Sequence, residues 1–408
     1  MRITDLDIIP VFPKLARRYE GHEVRMEGID HRVVYRARTD CGLTGYGDLR
    51  IRPGGCPPQS SVEALVGRDP FDFINNRFNA GLGGALYDLI GKKLGVPAYK
   101  LMGQKVRDRV SVAAWTRPAD PDEFAKEVRR AVDQGYRIFK MHSCDYHDVI
   151  EQTRAAEAVA PPGFELHWDF NGNRTLATVL PLVARLERDH PIVGYVEDPI
   201  ARTDIDGWRR LREQTRIPIV MHVPQLGGAQ EMLHGLADIY MLDGGVGDTL
   251  ERGWMYSRAN IQTVIQQGAG TLGKAFALHM AAVLPSASGH SIHLDDQYEE
   301  DYTTTRIPVT EGFSPVPSAP GLGFEVDEDA LARMAAREAP ATPRYVGVLT
   351  LPGGTKVYTG AMPSAQEITG REEGAIRGLT CEIWQDDGSE EFERAFGDAH
   401  EADSDDPR

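Results

Sequence analysis

Residues 136–144 read Y-R-I-F-K-M-H-S-C, an apolar strand that finishes on a lysine and a histidine two positions apart. Side chains alternate across a strand, so Lys140 and His142 face the same way. The stretch is one of eight. Between residues 110 and 296 short apolar runs alternate with amphipathic helical segments. The runs are V-S-V-A-A-W, Y-R-I-F-K-M-H, F-E-L-H-W-D-F, I-V-G-Y-V-E-D, I-P-I-V-M-H-V, A-D-I-Y-M-L-D, I-Q-T-V-I-Q-Q and H-S-I-H-L-D-D. Strand–helix alternation of this kind predicts an α/β fold, here a (β/α)8-type barrel or modified TIM barrel. An open doubly wound sheet is the competing architecture, but no G-x-G-x-x-G follows the early strands. The helix after the first strand opens D-P-D-E-F. Asp120 can cap it, Pro121 suits its first position, and Glu123 can complete a capping box; Gly135 can end it.

The flanks read differently. Residues 1–60 hold two strand-like runs, I-T-D-L-D-I-I-P-V-F and H-R-V-V-Y-R-A-R-T-D, and D-C-G-L-T-G-Y-G-D supplies turn glycines. From 70 to 105 the apolar spacing turns helical through Leu86, Leu89, Ile90 and Leu94, with Gly95 and Pro97 as stop signals. Residues 1–108 therefore form a small α+β unit ahead of a barrel over 109–315.

Composition narrows the function. Net charge is −16, from 45 basic and 61 acidic residues, which excludes the basic face of a nucleic-acid binder. No apolar run approaches the ~20 residues that span a bilayer, and the N-terminus lacks a signal peptide's apolar core. The expectation is a cytoplasmic protein with no membrane partner. The four cysteines are scattered without a CxxC pair, so neither a zinc knuckle nor a disulfide framework is indicated.

In a barrel the active site lies at the C-terminal ends of the strands. The polar residues closing the eight runs are Lys140, His142, Asp169, Asn171, Glu197, Asp198, His222, Asp243, Gln266 and Gln267. Carboxylates gathered at one mouth repel one another, and a divalent cation relieves that repulsion. Oxygen ligands favour Mg²⁺.

These residues resemble the enolase superfamily, nearest its mandelate racemase and muconate lactonizing branches. The resemblance covers about residues 1–330 and rests on A-L-Y-D-L-I-G-K-K-L-G-V-P, P-G-L-G-F-E-V-D-E-D and the strand series. It implies that 1–108 is a capping domain whose loops close the site. It further implies that 316–408 returns to that domain before an appended hairpin, a short helix over E-E-F-E-R-A-F and a disordered acidic tail. W-D-F-N resembles the first metal-ligand strand, with Asp169 as ligand and Asn171 beside the substrate. Y-V-E-D-P resembles the second, with Glu197. The third ligand position holds His222 in place of a carboxylate. Imidazole suits Mn²⁺, Fe²⁺ or Zn²⁺ better than Mg²⁺, so the metal is a different one, is weakly held or is absent. The family's Lys-x-Lys base motif reads Lys140-Met141-His142 here. Asp243 stands where the racemase branch has the partner of a catalytic histidine, but Gln266 and Gln267 replace that histidine. Gln cannot accept a proton usefully, which disfavours two-base racemisation. Arg17, Arg18, Arg50 and Arg52 are candidates to grip a substrate carboxylate, and His279 reads as a packed helix residue.

The resemblance implies a metal-assisted lyase or isomerase that takes the α-proton of a small-molecule carboxylate, foremost a hydroxy-acid or sugar-acid dehydratase, with racemase or epimerase chemistry beside it. An alternative of another class is a catalytically degenerate barrel that binds a carboxylate or protein partner without turnover. Schiff-base chemistry at Lys140 is a third reading. A homo-oligomer is expected.

Overall fold

The computed structural model describes residues 1–22, 24–144, 147–360 and 378–404. Strands β1 (Ile3–Val11), β2 (Arg32–Thr39) and β3 (Thr44–Arg50) form an antiparallel sheet in chain order. Helix α1 (Ala80–Leu94) packs on it through Leu82, Ala85, Leu86 and Leu89. Asn79 caps the start of α1 with its side-chain oxygen, and Gly95 ends it at φ +69°. The glycines of D-C-G-L-T-G-Y-G-D correct the sequence reading. Only Gly42 serves a turn, at φ +79°, while Gly45 and Gly47 lie inside β3. A Cβ on Gly47 would stand 2.1 Å from the carbonyl oxygen of Gly81, so these glycines let α1 close on the sheet.

All eight apolar runs are strands: β4 (Arg109–Thr116), β5 (Ile138–His142), β6 (Glu165–Asp169), β7 (Val193–Glu197), β8 (Ile219–Met221), β9 (Ile239–Leu242), β10 (Gln262–Gln266) and β11 (Ser291–Ile292). Each pairs in parallel with the next, and β11 pairs back to β4, closing the barrel. A short strand, β12 (Phe313–Pro315), runs antiparallel to the start of β4. The intervening helices are α2 (Pro121–Asp133), α3 (Val149–Glu157), α4 (Leu176–Asp189), α5 (Ile205–Gln214), α6 (Ala229–Leu233), α7 (Val246–Arg258) and α8 (Thr271–Val283). Asp120 caps α2 as read from the sequence, but Glu123 pairs with Lys126 instead of closing a capping box.

Period-two alternation sorts the strand residues. Phe139, Met141, Leu166, Trp168, Ile219, Leu242 and Ile265 face the helices. Trp115, Tyr195, Val220, Met241, Val264 and Ile292 fill the barrel, joined by Tyr19, Met26 and Ile29 from the loop between β1 and β2. That loop is held down where the Tyr298 hydroxyl donates to the Ile29 carbonyl at 2.8 Å.

Beyond the barrel, α9 (Glu328–Ala335) returns to β1. Then β13 (Tyr345–Thr350), β14 (Lys356–Thr359) and β15 (Thr380–Gln385) make a second antiparallel sheet in the order β14-β13-β15. A helix over Glu390–Ser404 packs Phe392 on Val346 and Val348. It extends past the short helix expected from the sequence into the acidic tail, of which residues 405–408 lie outside the described residues. Gln385 donates to the Gly21 carbonyl at 3.4 Å, so the appended sheet touches the β1–β2 loop.

Candidate active site

Lys140 and His142, two apart on β5, point into the barrel mouth together: Lys140 Nζ lies 3.0 Å from His142 Nε2. Parallel pairing sets Asp169 beside His142 and Glu197 beside Asp169. The Lys140 ammonium accordingly donates to Asp169 Oδ2 at 2.6 Å and stands 3.6 Å from Glu197 Oε2. Lys140, Asp169 and Glu197 are all buried. His142 keeps 22% of its side chain exposed at the mouth, with Asp169 Oδ2 3.1 Å from its Nδ1. Asn171 donates its backbone N–H to Asp169 Oδ1 at 2.8 Å, and its side chain meets His142 Nδ1. Its φ of +52° is a conformation Asn tolerates and serves to turn the chain back over the site.

The donors around the imidazole assign its tautomer. Lys140 can only donate, so His142 Nε2 accepts, and Nδ1–H is left to face Asp169. Charge distribution agrees. Burial opposes the Lys140 charge, but Asp169 and Glu197 outweigh it and raise its pKa. Burial, then the Lys140 charge, push His142 down to about 3. Burial and the adjacent Asp169 carboxylate hold Glu197 well above the usual carboxylate range. Burial works the same way on Asp169, yet Lys140 and His142 prevail and hold it low. At neutral pH the cluster therefore holds the Lys140 ammonium, a neutral His142 imidazole and the Asp169 carboxylate.

His222, just past β8, lies between Glu197 and Asp243: Nδ1 is 3.4 Å from Glu197 Oε1, and Nε2 is 3.5 Å from Asp243 Oδ2. Arg252 holds Asp243 from the far side, donating to its backbone oxygen at 2.8 Å. Asp243 is thus the partner of His222 and not of a histidine on the next strand. Asp198 positions His222 by accepting its backbone N–H at 3.0 Å and is itself held by Arg202 at 3.0 Å.

This donor set fits a divalent cation. Both Glu197 oxygens and His222 Nε2 are buried and make no hydrogen bond among the described residues, the approach of Nε2 to Asp243 being an ion-pair distance only, and a bound ion would satisfy them. Ligand atoms of Glu197, Asp198 and His222 lie within 4.8 Å of one another. Asp169 stands outside that group and is engaged by Lys140. Asp198 joins it, although the sequence reading named it only as a strand-end polar residue.

Other candidates divide. Gln266 shares the inward face of Val264 and buries its side-chain oxygen without a partner, while Gln267 donates to the Gly244 carbonyl at 3.1 Å. Arg17 does not reach the mouth. It belongs to a 3-10 turn that buries Tyr19, which leaves Arg17 81% exposed and paired with Glu299 at 3.0 Å. Arg18 is taken up by Glu127 and Asp296. Arg52 is exposed, whereas Arg50 is partly buried against the mouth. His279 is packed in α8, near the Leu322 carbonyl. Sequence reading missed Arg252 and Arg117. Arg117 was within reach, since it continues the Ala113, Trp115 alternation just past β4.

Comparisons with known proteins bear on the family and the fold. Residues 123–330, about half of the chain, match the family model for the enolase C-terminal domain-like family. The D-gluconate dehydratase of Thermoproteus tenax is 26% identical over 349 residues, covering 74% of this chain and 69% of that protein. The D-galactonate dehydratase of Verminephrobacter eiseniae is 26% identical over 358 residues, covering 76% and 92%. Among solved structures, muconate lactonizing enzyme from Pseudomonas putida superposes with a TM-score of 0.69 at 21% identity, covering 82% of this chain and 99% of that one. The N-succinyl Arg/Lys racemase from Bacillus cereus gives 0.69 at 19%, covering 83% and 99%. These structures share the fold: a capping sheet unit on a closed eight-stranded barrel. The chain belongs to the enolase superfamily.

Proposed function

We propose that this protein is a divalent-cation-dependent dehydratase of acid sugars, with His142 as the group that moves the proton. The observation that carries the reading is the Lys140–His142–Asp169 cluster, a neutral imidazole held between an ammonium and a carboxylate at the barrel mouth. The dehydratase names of the relatives support the substrate class. Substrate binding draws the Lys140 ammonium onto the substrate carboxylate, and His142 Nε2, freed of that hydrogen bond, takes the α-proton. Negative charge then develops on the carboxylate oxygens, and the Lys140 ammonium stabilises it. Asp169 steadies the imidazolium so formed. The imidazolium returns the proton to the β-hydroxyl as that C–O bond breaks, releasing water and an enol that becomes the 2-keto acid. Glu197, Asp198 and His222 would hold the cation, with Asp169 joining them where Lys140 yields it. When bound, the cation supplies Lewis-acid stabilisation of the enediolate charge. Mg²⁺ is the family's metal, and Mn²⁺ suits a His222 ligand better. Asn171 and Gln266 line the substrate's side of the mouth. A cytoplasmic homo-oligomer belongs to the same reading.

One observation favours a second reading, a barrel that binds carboxylates without turnover: Lys140 already neutralises Asp169. Incubating the protein in D₂O with Mg²⁺ or Mn²⁺ and a panel of acid sugars separates the two. Loss of the α-proton signal by NMR is expected for at least one acid. His142→Asn should slow that exchange by about 10²–10⁴-fold. Exchange that survives His142→Asn, or no exchange with any acid, defeats the dehydratase reading.

A further inference from the structure

β5 has β6 on one side and β4 on the other, so His142 has Asp169 on one flank and the end of β4 on the opposite flank. On that second flank the Trp115 ring stands edge-on to His142 at 5.7 Å. The Arg117 guanidinium lies 5.9 Å from the centre of the same Trp115 ring, and its Nε is buried without a hydrogen-bond partner. Arg50, the last residue of β3, comes over the mouth from the capping unit. Its backbone N–H donates to the Gly268 carbonyl past β10 at 3.1 Å, and its Nη1 reaches the Gly28 carbonyl at 3.5 Å. Burial, then the charge of Arg50, weaken the hold of Arg117 on its proton; Glu27 offsets this in part without forming an ion pair. Burial also weakens Arg50, with Tyr298 opposing and Arg52 adding to the effect. Arg25, on the capping loop, buries all three guanidinium nitrogens without a hydrogen-bond partner among the described residues and lines a cavity of about 190 Å³ with Pro118, Asp120 and Glu123.

Neither Arg117 nor Arg50 forms an ion pair among the described residues, and guanidinium groups buried at one mouth in that state are costly. A planar anion accepting two N–H bonds relieves that cost. The α-carboxylate is not that anion, because the reaction needs it beside Lys140 and the cation ligands, on the other flank of His142.

We propose that Arg117 and Arg50 form a second anion-binding pole, so that the substrate is a polyhydroxy acid carrying another carboxylate or a phosphate at the end away from the reacting carbon. This rests on the acid-sugar reading above and narrows it. The test uses the full chain with Mg²⁺ and stereochemically matched sets of aldonates, aldarates and phosphorylated aldonates. Calorimetric binding and α-proton exchange in D₂O are both read. One dianionic acid should bind about 10–100-fold more tightly than its matched aldonate. The aldarate and phosphate arms tell which anion is taken. Arg117→Gln and Arg50→Gln should remove most of that advantage and weaken the aldonate by a smaller factor. Arg17→Gln, which removes an exposed arginine, should preserve it. Equal affinity for aldonates and dianions, or an equal loss for both in Arg117→Gln, overturns the second pole even where aldonates exchange their α-proton. Arg117-dependent dianion binding without exchange in any acid upholds the pole and defeats the dehydratase reading.

Discussion

Replacing Lys140 by methionine removes one charge from the centre of the site while keeping most of the side-chain volume. Lys140 is 1% exposed, and its ammonium lies 2.6 Å from Asp169 Oδ2 and 3.6 Å from Glu197 Oε2. Without it the Asp169 carboxylate stays buried with no cation beside it, held only by the neutral His142 imidazole and the Asn171 N–H. Stranding one member of a buried ion pair costs about 3–5 kcal/mol. At roughly 2.1 cal/mol/K of unfolding entropy per residue, a chain of 408 residues loses about 3–6 °C in Tm for that cost. Differential scanning calorimetry in EDTA measures the drop. Divalent cation should then recover stability, by about 2.7 kcal/mol at a hundredfold excess over Kd. The recovery should be larger in Lys140→Met than in the native protein, because the ammonium no longer repels the ion. A variant that melts within about 1 °C of the native protein in EDTA would show that Lys140 does not hold these carboxylates. A larger Mg²⁺ response in the native protein would show that ammonium and cation do not compete.

Glu197 has a raised pKa through burial and the charge of Asp169, so its contribution to metal-free stability is full below the unfolded value of 4.5 and is lost as pH rises through the folded one. Cation binding requires its carboxylate, so binding should release a proton and tighten with rising pH; calorimetric heats identical in buffers of different ionisation enthalpy would contradict this. Gly47→Ala would set a Cβ 2.1 Å from the Gly81 carbonyl oxygen and 2.6 Å from the Ala85 nitrogen, both backbone atoms of α1. The helix must shift, at about 1–3 kcal/mol, and an unchanged melting curve would mean that α1 does not sit on β3 as described.

The sequence by itself determined the barrel. A run of apolar residues five to seven long, followed by a stripe at helical spacing, can bury both faces only in a parallel sheet covered by helices, and eight such units close. Alternation within one strand also sufficed to aim Lys140 and His142 at one place, because strand geometry is local. What tertiary structure decided is every relation between strands and between units. Asp243 meets His222 from the preceding strand, and Asp198 holds His222 by its backbone, since both contacts arise from distances across the mouth that spacing along the chain does not encode. Gly45 and Gly47 read as turn residues because their reason for being glycine, the backbone of α1, lies some forty positions away. The arginines show the same limit. Arg17 and Arg117 each adjoin an apolar stretch, yet one turns to solvent and pairs with Glu299 while the other lies against Trp115 at the site. Loop conformation and the packing of one unit on another separate them, and neither leaves a period in the sequence.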